Sequence, residues 1–145
     1  SVIAGSLSAT GRVMLVNPNG IAITQTGTID AGAFVASTLD IADADFLSGR
    51  LTFRQGAARG VVSNAGRIST SEAVAFLGSG IVNEGVVLAR MGRIGYGAGD
   101  LITVDFSGDD FLSVALPVES IEGLTDAAGR PLSALISAGG TTQAD

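Results

Sequence analysis

Apolar residues in this chain recur at alternate positions over short stretches, and each stretch is cut off by a small group of Gly, Asn, Pro, Ser or Thr residues. Near the start Ile3, Leu7, Val13 and Leu15 alternate with polar or small residues, Ser6, Ser8, Thr10 and Arg12 among them. A period of two is the mark of a half-buried strand. Ile21, Ile23 and Ile29 resume it. Between the two runs stands Val16-Asn17-Pro18-Asn19-Gly20-Ile21. Pro18 fixes φ near the value needed at the second position of a β-turn, and Asn19 or Gly20 is suited to the left-handed conformation that closes it. The pattern predicts a strand, a tight polar corner and another strand.

The corner has echoes. Gly20-Ile21 is followed seven residues later by Gly27-Thr28-Ile29, and Gly85-Val86 seven residues later by Gly92-Arg93-Ile94. The two pairs lie 65 residues apart, three turns of roughly 21 to 22 residues, which is inside the range of solenoid repeats. Asn64-Ala65-Gly66 and Asn83-Glu84-Gly85 repeat at an offset of 19. Each unit reads as a short strand ending at a corner where Gly supplies positive φ and Asn tolerates it. In such a coil Asn64 and Asn83 stack amide over amide on neighbouring turns. Ile68, Val87 and Ile94 then point inward, with rungs about 4.8 Å apart along the axis. No rung buries its own face, so stability comes from neighbour on neighbour. The spacing predicts an all-β chain wound as a parallel coil, one unit over residues 1–145. A β-sandwich or Greek-key barrel is the alternative, because it also carries short strands with turn signals about every 8 to 12 residues. Only Ser71–Leu77 passes for a helical turn, and its Val74, Phe76 alternation reads equally as strand.

Two stretches break the coil. Thr38–Phe46 carries three aspartates and no glycine, and leads to Arg50-Leu51-Thr52-Phe53-Arg54. It reads as a hairpin laid against the coil and anchored by Phe46 and Phe53. Val104–Val114 reads as two strands joined by a corner over Ser107–Asp110. Past Pro117 the pattern weakens, although Ile121, Leu124, Leu132, Leu135 and Ile136 are placed to line further turns.

At 145 residues the chain fits one ordinary domain. Hydrophobic residues make up 46% and charged ones 15%, a balance that buries a core and excludes disorder from charge. The net charge is −6 and all eight basic residues are scattered arginines. With no basic stripe and no interleaved aromatics, a nucleic-acid partner is not expected. The absence of Cys and His removes disulfides, Cys or His zinc sites and every Ser-His or Cys-His nucleophile pair. No apolar run approaches the ~20 residues that span a bilayer, and no basic-then-apolar leader precedes Ser1. The Ser1 start and the Thr141–Asp145 end read as those of a piece of a longer protein.

Three separated stretches carry a family resemblance: Gly11–Ile21, Gly32–Ile41 and Val104–Asp109. They resemble, in order, the secretion domain of the large exoproteins of bacterial two-partner secretion, the haemagglutination-activity domain of the filamentous haemagglutinin family. The likeness runs from about Ser1 to Val118. It implies a right-handed parallel β-helix, a single-stranded solenoid with short extra-helical hairpins, at the front of a secreted or surface adhesin of a Gram-negative cell. It implies recognition by the periplasmic POTRA domains of an outer-membrane TpsB-type transporter, with folding outside the cell helping to draw the chain across. Asn17, Pro18, Asn19, Gly20 and Ile21 match the family's Asn-Pro-Asn-Gly-Ile motif. The family's N-terminal capping region and its other Asn-Pro-Asn motif are not in this chain, nor is the downstream passenger, and Ala31-Gly32-Ala33 replaces a more usual double glycine. Host or bacterial surface glycans are the partners that the full-length protein would meet.

The enzymatic alternative is a β-helical polysaccharide-processing enzyme or a tail-spike-like carbohydrate binder. Asp40, Asp43 and Asp45, or Asp105, Asp109 and Asp110, would supply its paired carboxylates, Arg90 and Arg93 its cations and Tyr96 its aromatic platform. Each acidic group reads more simply as a solvated turn, with no Lys or His as a base. Asp109-Asp110 offers oxygens to Ca²⁺, but the nine-residue glycine-aspartate pattern of calcium-binding β-rolls is absent. No metal and no cofactor is assigned. Gly95-Tyr96-Gly97-Ala98-Gly99 reads as a corner, because no helix follows to make it a dinucleotide site.

Overall fold

A computed structural model describes residues 1–45, 49–56, 60–90, 93–99, 101–106, 111–116, 136–137 and 141–144. Every regular element among them is a strand. A first pass lays down β1 (Val2–Ile3), β2 (Ser6–Ser8) and β3 (Arg12–Val16), three short strands where the alternation alone suggests one. A second pass gives β4 (Ile21–Ile23) and the long β5 (Thr28–Ser37), after which β6 (Asp40–Asp45) and β7 (Arg50–Arg54) leave the path. A third gives β8 (Val61–Asn64) and β9 (Arg67–Gly78), and a fourth β10 (Gly80–Asn83), β11 (Val86–Ala89) and β12 (Arg93–Ala98). β13 (Leu101–Asp105) and β14 (Leu112–Leu116) form a second departure, and β15 (Ile136–Ser137) and β16 (Thr141–Ala144) rejoin the path. Ser71–Leu77 is therefore strand throughout, as is Arg93–Ala98; the glycine-rich segment is no corner.

All pairings along the path are parallel. One sheet runs β1-β4-β8-β10-β15. In a second, β5 and β9 pair β2 and β11 through their first halves and β3 and β12 through their second halves, with a register shift at Ala31/Ala33 between β5 and β9. Passes with no departure between them are offset by 19 to 22 residues: Val2 faces Ala22, Ser6 faces Thr28, Gly80 faces Val61 and Arg93 faces Ala73. The two departures, each antiparallel, join through β7 and β13 into a four-stranded sheet, β14-β13-β7-β6.

The period of two sorts the side chains into two cores. Ile21, Ile23, Ile29, Phe34, Val62, Ile68, Phe76, Ile81 and Val87 share the first, with Val13, Leu15 and Ile94 packed against it. The second takes the intervening positions of β5 and β9, Ala33, Val35, Ala73, Ala75 and Leu77, and meets Leu51, Phe53, Ile102 and Val104 of the antiparallel sheet. Strands buried on both faces read as near-continuous apolar runs, which is why Ala33-Phe34-Val35-Ala36 and Ala73-Val74-Ala75-Phe76-Leu77 carry no polar residue. Gly95 and Gly97 are small for the same reason. A Cβ on either would lie 2.9 Å from the Leu112 side chain. Phe46, Ser107–Asp110, Ile121, Leu124, Leu132 and Leu135 lie outside the described residues.

Glycine has a different task at the repeated corners from the positive φ expected of it. Among the described residues only Gly20 and Gly49 have positive φ. Gly27, Gly66 and Gly85 instead stack: a Cβ on Gly27 would come within 2.6 Å of the Ile3 carbonyl oxygen, one on Gly66 would strike the Gly27 carbonyl, and one on Gly85 the Gly66 carbonyl. Close approach of backbone to backbone demands the missing side chain.

Candidate functional site

Val16 ends β3 and Ile21 opens β4, so the sequence-predicted corner is the link between the first and second passes. The Gly20 N–H donates to the Asn17 carbonyl at 3.1 Å, closing the β-turn, and the Asn19 N–H donates to Asn17 Oδ1 at 3.0 Å. An Asx-turn thus sits inside the β-turn. Pro18 occupies a position that needs no N–H. Gly20, with φ of 124°, carries the positive φ, and Asn19 does not. Asn17 is committed elsewhere too: its Nδ2 donates to Ser1 Oγ at 2.9 Å, and its N–H to the Ser37 carbonyl at 2.9 Å. Ile21 drops into the first core, whereas Asn19 is exposed.

Beneath this turn runs a column of corners. Thr38 Oγ1 donates to the Gly60 carbonyl at 3.0 Å, and the Thr38 N–H to the Leu77 carbonyl at 3.0 Å. The Gly99 N–H donates to the Gly78 carbonyl at 3.1 Å. A Cβ on Gly60 would lie 2.6 Å from the Pro18 carbonyl oxygen and 2.8 Å from Thr38 Cβ. Both departures leave from this column, β6 directly after Leu39 and β13 just beyond Gly99. Sequence reasoning missed the link between Pro18, Thr38 and Gly60. Thr38 and Gly60 are 22 residues apart across the first departure, so no local pattern joins them.

Asn64 and Asn83 occupy a different corner. Asn64 Nδ2 donates to Asn83 Oδ1 at 3.0 Å, each Oδ1 accepts the N–H two residues on, from Gly66 and Gly85, and Asn83 Nδ2 donates to Tyr96 Oη at 3.2 Å. Tyr96 also stacks on Phe76 with ring centres 5.3 Å apart. It serves the interior, which overturns its reading as an outer platform for sugar.

Of the candidate acids, Asp109 and Asp110 lie outside the described residues, and Asp43 and Asp45 are placed only by their backbone in β6. Asp40 is exposed at the start of β6, opposite Arg54, while Asp105 is half-buried at the end of β13, opposite Arg50. Among the described residues no three His, Cys, Asp or Glu side chains group as a metal site. Arg93 donates to the Phe106 carbonyl and lies 5.4 Å from the Phe111 ring centre, so it braces the antiparallel sheet. Arg12 lines a cleft of about 140 Å³ with Val13, Met14, Val35, Gly49, Leu51 and Phe106. Its guanidinium is held at 2.7 Å by Glu72 and lies 4.5 Å from the Phe106 ring centre. The hydrogen bond that Arg12 donates to Glu72, more than the charge of that carboxylate, raises the Arg12 pKa above its ordinary value.

The family model described as "TPS secretion domain" matches residues 1–140. A curated relative, the heme/hemopexin-binding protein of Haemophilus influenzae, is 30% identical over 138 residues, covering 89% of this chain and 15% of that protein. Among solved structures, the HMW1 secretion domain from Haemophilus influenzae is similar with a TM-score of 0.66 and 31% identity, over 80% of this chain and 32% of that one. The chain thus spans a small part of either relative. With parallel sheets, the motif corner and the family match in agreement, the chain belongs to the TPS secretion domains of two-partner secretion, segments of proteins carried through the periplasm to the cell surface or the medium.

Proposed function

We propose that this chain is the part of a long adhesin-like exoprotein that an outer-membrane TpsB-type transporter recognises through its periplasmic POTRA domains. The family match over residues 1–140, which takes in the Asn17–Ile21 corner, carries this reading. The winding is read as a right-handed parallel β-helix, since a crossover between parallel strands of one sheet takes that hand in about 98% of cases. Its first corner nucleates the coil: once Asn17 and Gly20 close the turn, the Ser37, Thr38 and Gly60 corners have a surface to stack on. The role is recognition and folding rather than catalysis, and any contact with surface glycans belongs to the full-length protein. The binding named for the relative is not carried over, because the chain spans 15% of it.

Capture on immobilised POTRA domains tests the reading. Asn17→Ala with Asn19→Ala is expected to lose capture while the far-ultraviolet dichroism of a parallel sheet persists. Unchanged capture by that variant overturns the corner as the recognition element, and absence of capture by the parent chain overturns the transporter as partner.

A further inference from the structure

We infer that Asn19 is a latent deamidation site, chemically reactive while the chain is unfolded and masked when the corner closes. The chain has four asparagines, and Asn19 is the one followed by glycine. In a flexible Asn-Gly sequence the glycine nitrogen reaches the asparagine side chain unhindered, because no Cβ stands in its way. The Gly20 nitrogen attacks Asn19 Cγ, forming the N–Cγ bond of a succinimide. The Cγ–Nδ2 bond breaks and ammonia leaves, taking up the proton that the Gly20 nitrogen gives up. Water then opens the ring at either carbonyl to leave aspartate or isoaspartate, with no change of oxidation state.

The other three asparagines lack this route or are shielded from it. Asn17 precedes Pro18, whose nitrogen has no hydrogen to give up. Asn64 and Asn83 are 1% and 0% exposed, and their amides are hydrogen-bonded. Asn19 is exposed and its side chain forms no hydrogen bond among the described residues. What masks it is the nucleophile. The Gly20 N–H is spent on the Asn17 carbonyl, and the Asn19 N–H on Asn17 Oδ1, which fixes the peptide between them. The isoaspartate product does not fit the same corner. It lengthens the main chain by a methylene between Asn19 Cα and the Gly20 nitrogen, inside the turn that the Gly20 N–H closes on the Asn17 carbonyl. A chain that stays unfolded before export and converts to isoaspartate therefore loses this corner irreversibly, and a chain that folds keeps it.

The purified chain is incubated at mildly alkaline pH, folded or in urea, and followed by peptide mass mapping and by isoaspartyl methyltransferase labelling. In urea Asn19 is expected to convert ahead of Asn17, Asn64 and Asn83. In the folded chain the conversion is expected to be slower by roughly tenfold or more, the opening of the turn being required first. Gly20→Ala, measured in urea where folding does not matter, is expected to slow it as well. Equal rates folded and unfolded, conversion of Asn64 or Asn83 as fast as Asn19 in urea, or a Gly20→Ala rate equal to the parent's would each overturn the inference.

Discussion

The side-chain amide of Asn64 donates to the side-chain oxygen of Asn83 at 3.0 Å, tying the third pass to the fourth inside the apolar interior. In register beside Asn64 lies Ile23, and beside Ile23 lies Ile3. One column thus changes from aliphatic to amide halfway along. Asn83 Oδ1 accepts from both Asn64 and Gly85, and its Nδ2 donates to Tyr96 Oη. A buried polar group left without a partner costs about 1–3 kcal/mol. Asn83→Ala strands the Asn64 amide while the Gly85 N–H keeps its bond to the Asn64 carbonyl, and Asn64→Ala strands the Gly66 N–H, so a loss of about 2 kcal/mol is expected for each. Urea denaturation of the two single variants and the double should show coupling of about 1 kcal/mol or more. Strict additivity would refute the amide pair as an energetic unit.

The stacked glycines give a sharper contrast. Gly66→Ala and Gly85→Ala each drive a methyl into a carbonyl oxygen of the adjacent pass, and overpacking of this kind costs roughly 1–3 kcal/mol or more. Gly5 and Gly11 have nothing within 4 Å of a built Cβ and no positive φ. Gly5→Ala and Gly11→Ala are therefore expected to be neutral or stabilising by about 0.4–1 kcal/mol, through the unfolded chain. Thermal melts of the four variants decide it, and a destabilised Gly11→Ala would contradict the geometry.

That contrast marks where sequence reading runs out. Strands, the first corner, both departures and the Asn64/Asn83 repeat follow from local pattern, because alternation and turn chemistry act over a few residues. The reason for a glycine does not. Gly66 and Gly20 look alike in the sequence, yet one answers to the backbone of another pass and the other to its own φ. The joining of the two hairpins was equally hidden: Leu51 and Val104 are register partners, and nothing near either residue names the other. Tyr96 misled for the same reason, since only the winding carries its hydroxyl to Asn83. At the first corner the turn was legible, while its stacking on Thr38 and Gly60 was not.

Arg12 joins the first pass to the third through Glu72 and to the antiparallel sheet through the Phe106 ring. The two carboxylate-to-guanidinium side chains are 50% and 37% exposed, so the ion pair contributes at most about 1 kcal/mol and weakens with salt. The cation over the ring adds about 0.5–1 kcal/mol that salt screens less. Arg12→Lys keeps the charge but loses the paired N–H donors. It is expected to recover less than half of the Arg12→Ala loss, with Glu72→Gln between the two. Because the Arg12 pKa is raised, its contribution is complete below the ordinary guanidinium value and lost only as pH rises through the raised one. Stability between about pH 6 and 9 should therefore not change on its account. Denaturation midpoints of the three variants at low and high salt check these expectations.

Two cores that share strands but not side chains should fail differently. Phe76 and Phe53 are each 0% exposed, the first inside the parallel path and the second under the antiparallel sheet. Truncating either to Ala costs on the order of 3–5 kcal/mol. Phe76 touches the core that every pass shares, so Phe76→Ala is expected to lower protection from hydrogen exchange throughout. Phe53 holds β7 and, through its register partners Ile41 and Ile102, the neighbouring β6 and β13. Phe53→Ala is expected to free those strands first, while Ile68 and Val87 on the far side of the path keep their protection. Mass-resolved hydrogen exchange on the two variants distinguishes the outcomes. Uniform loss in Phe53→Ala would mean that the antiparallel sheet and the parallel path unfold as one cooperative unit, and that the departures are integral to the coil rather than laid upon it.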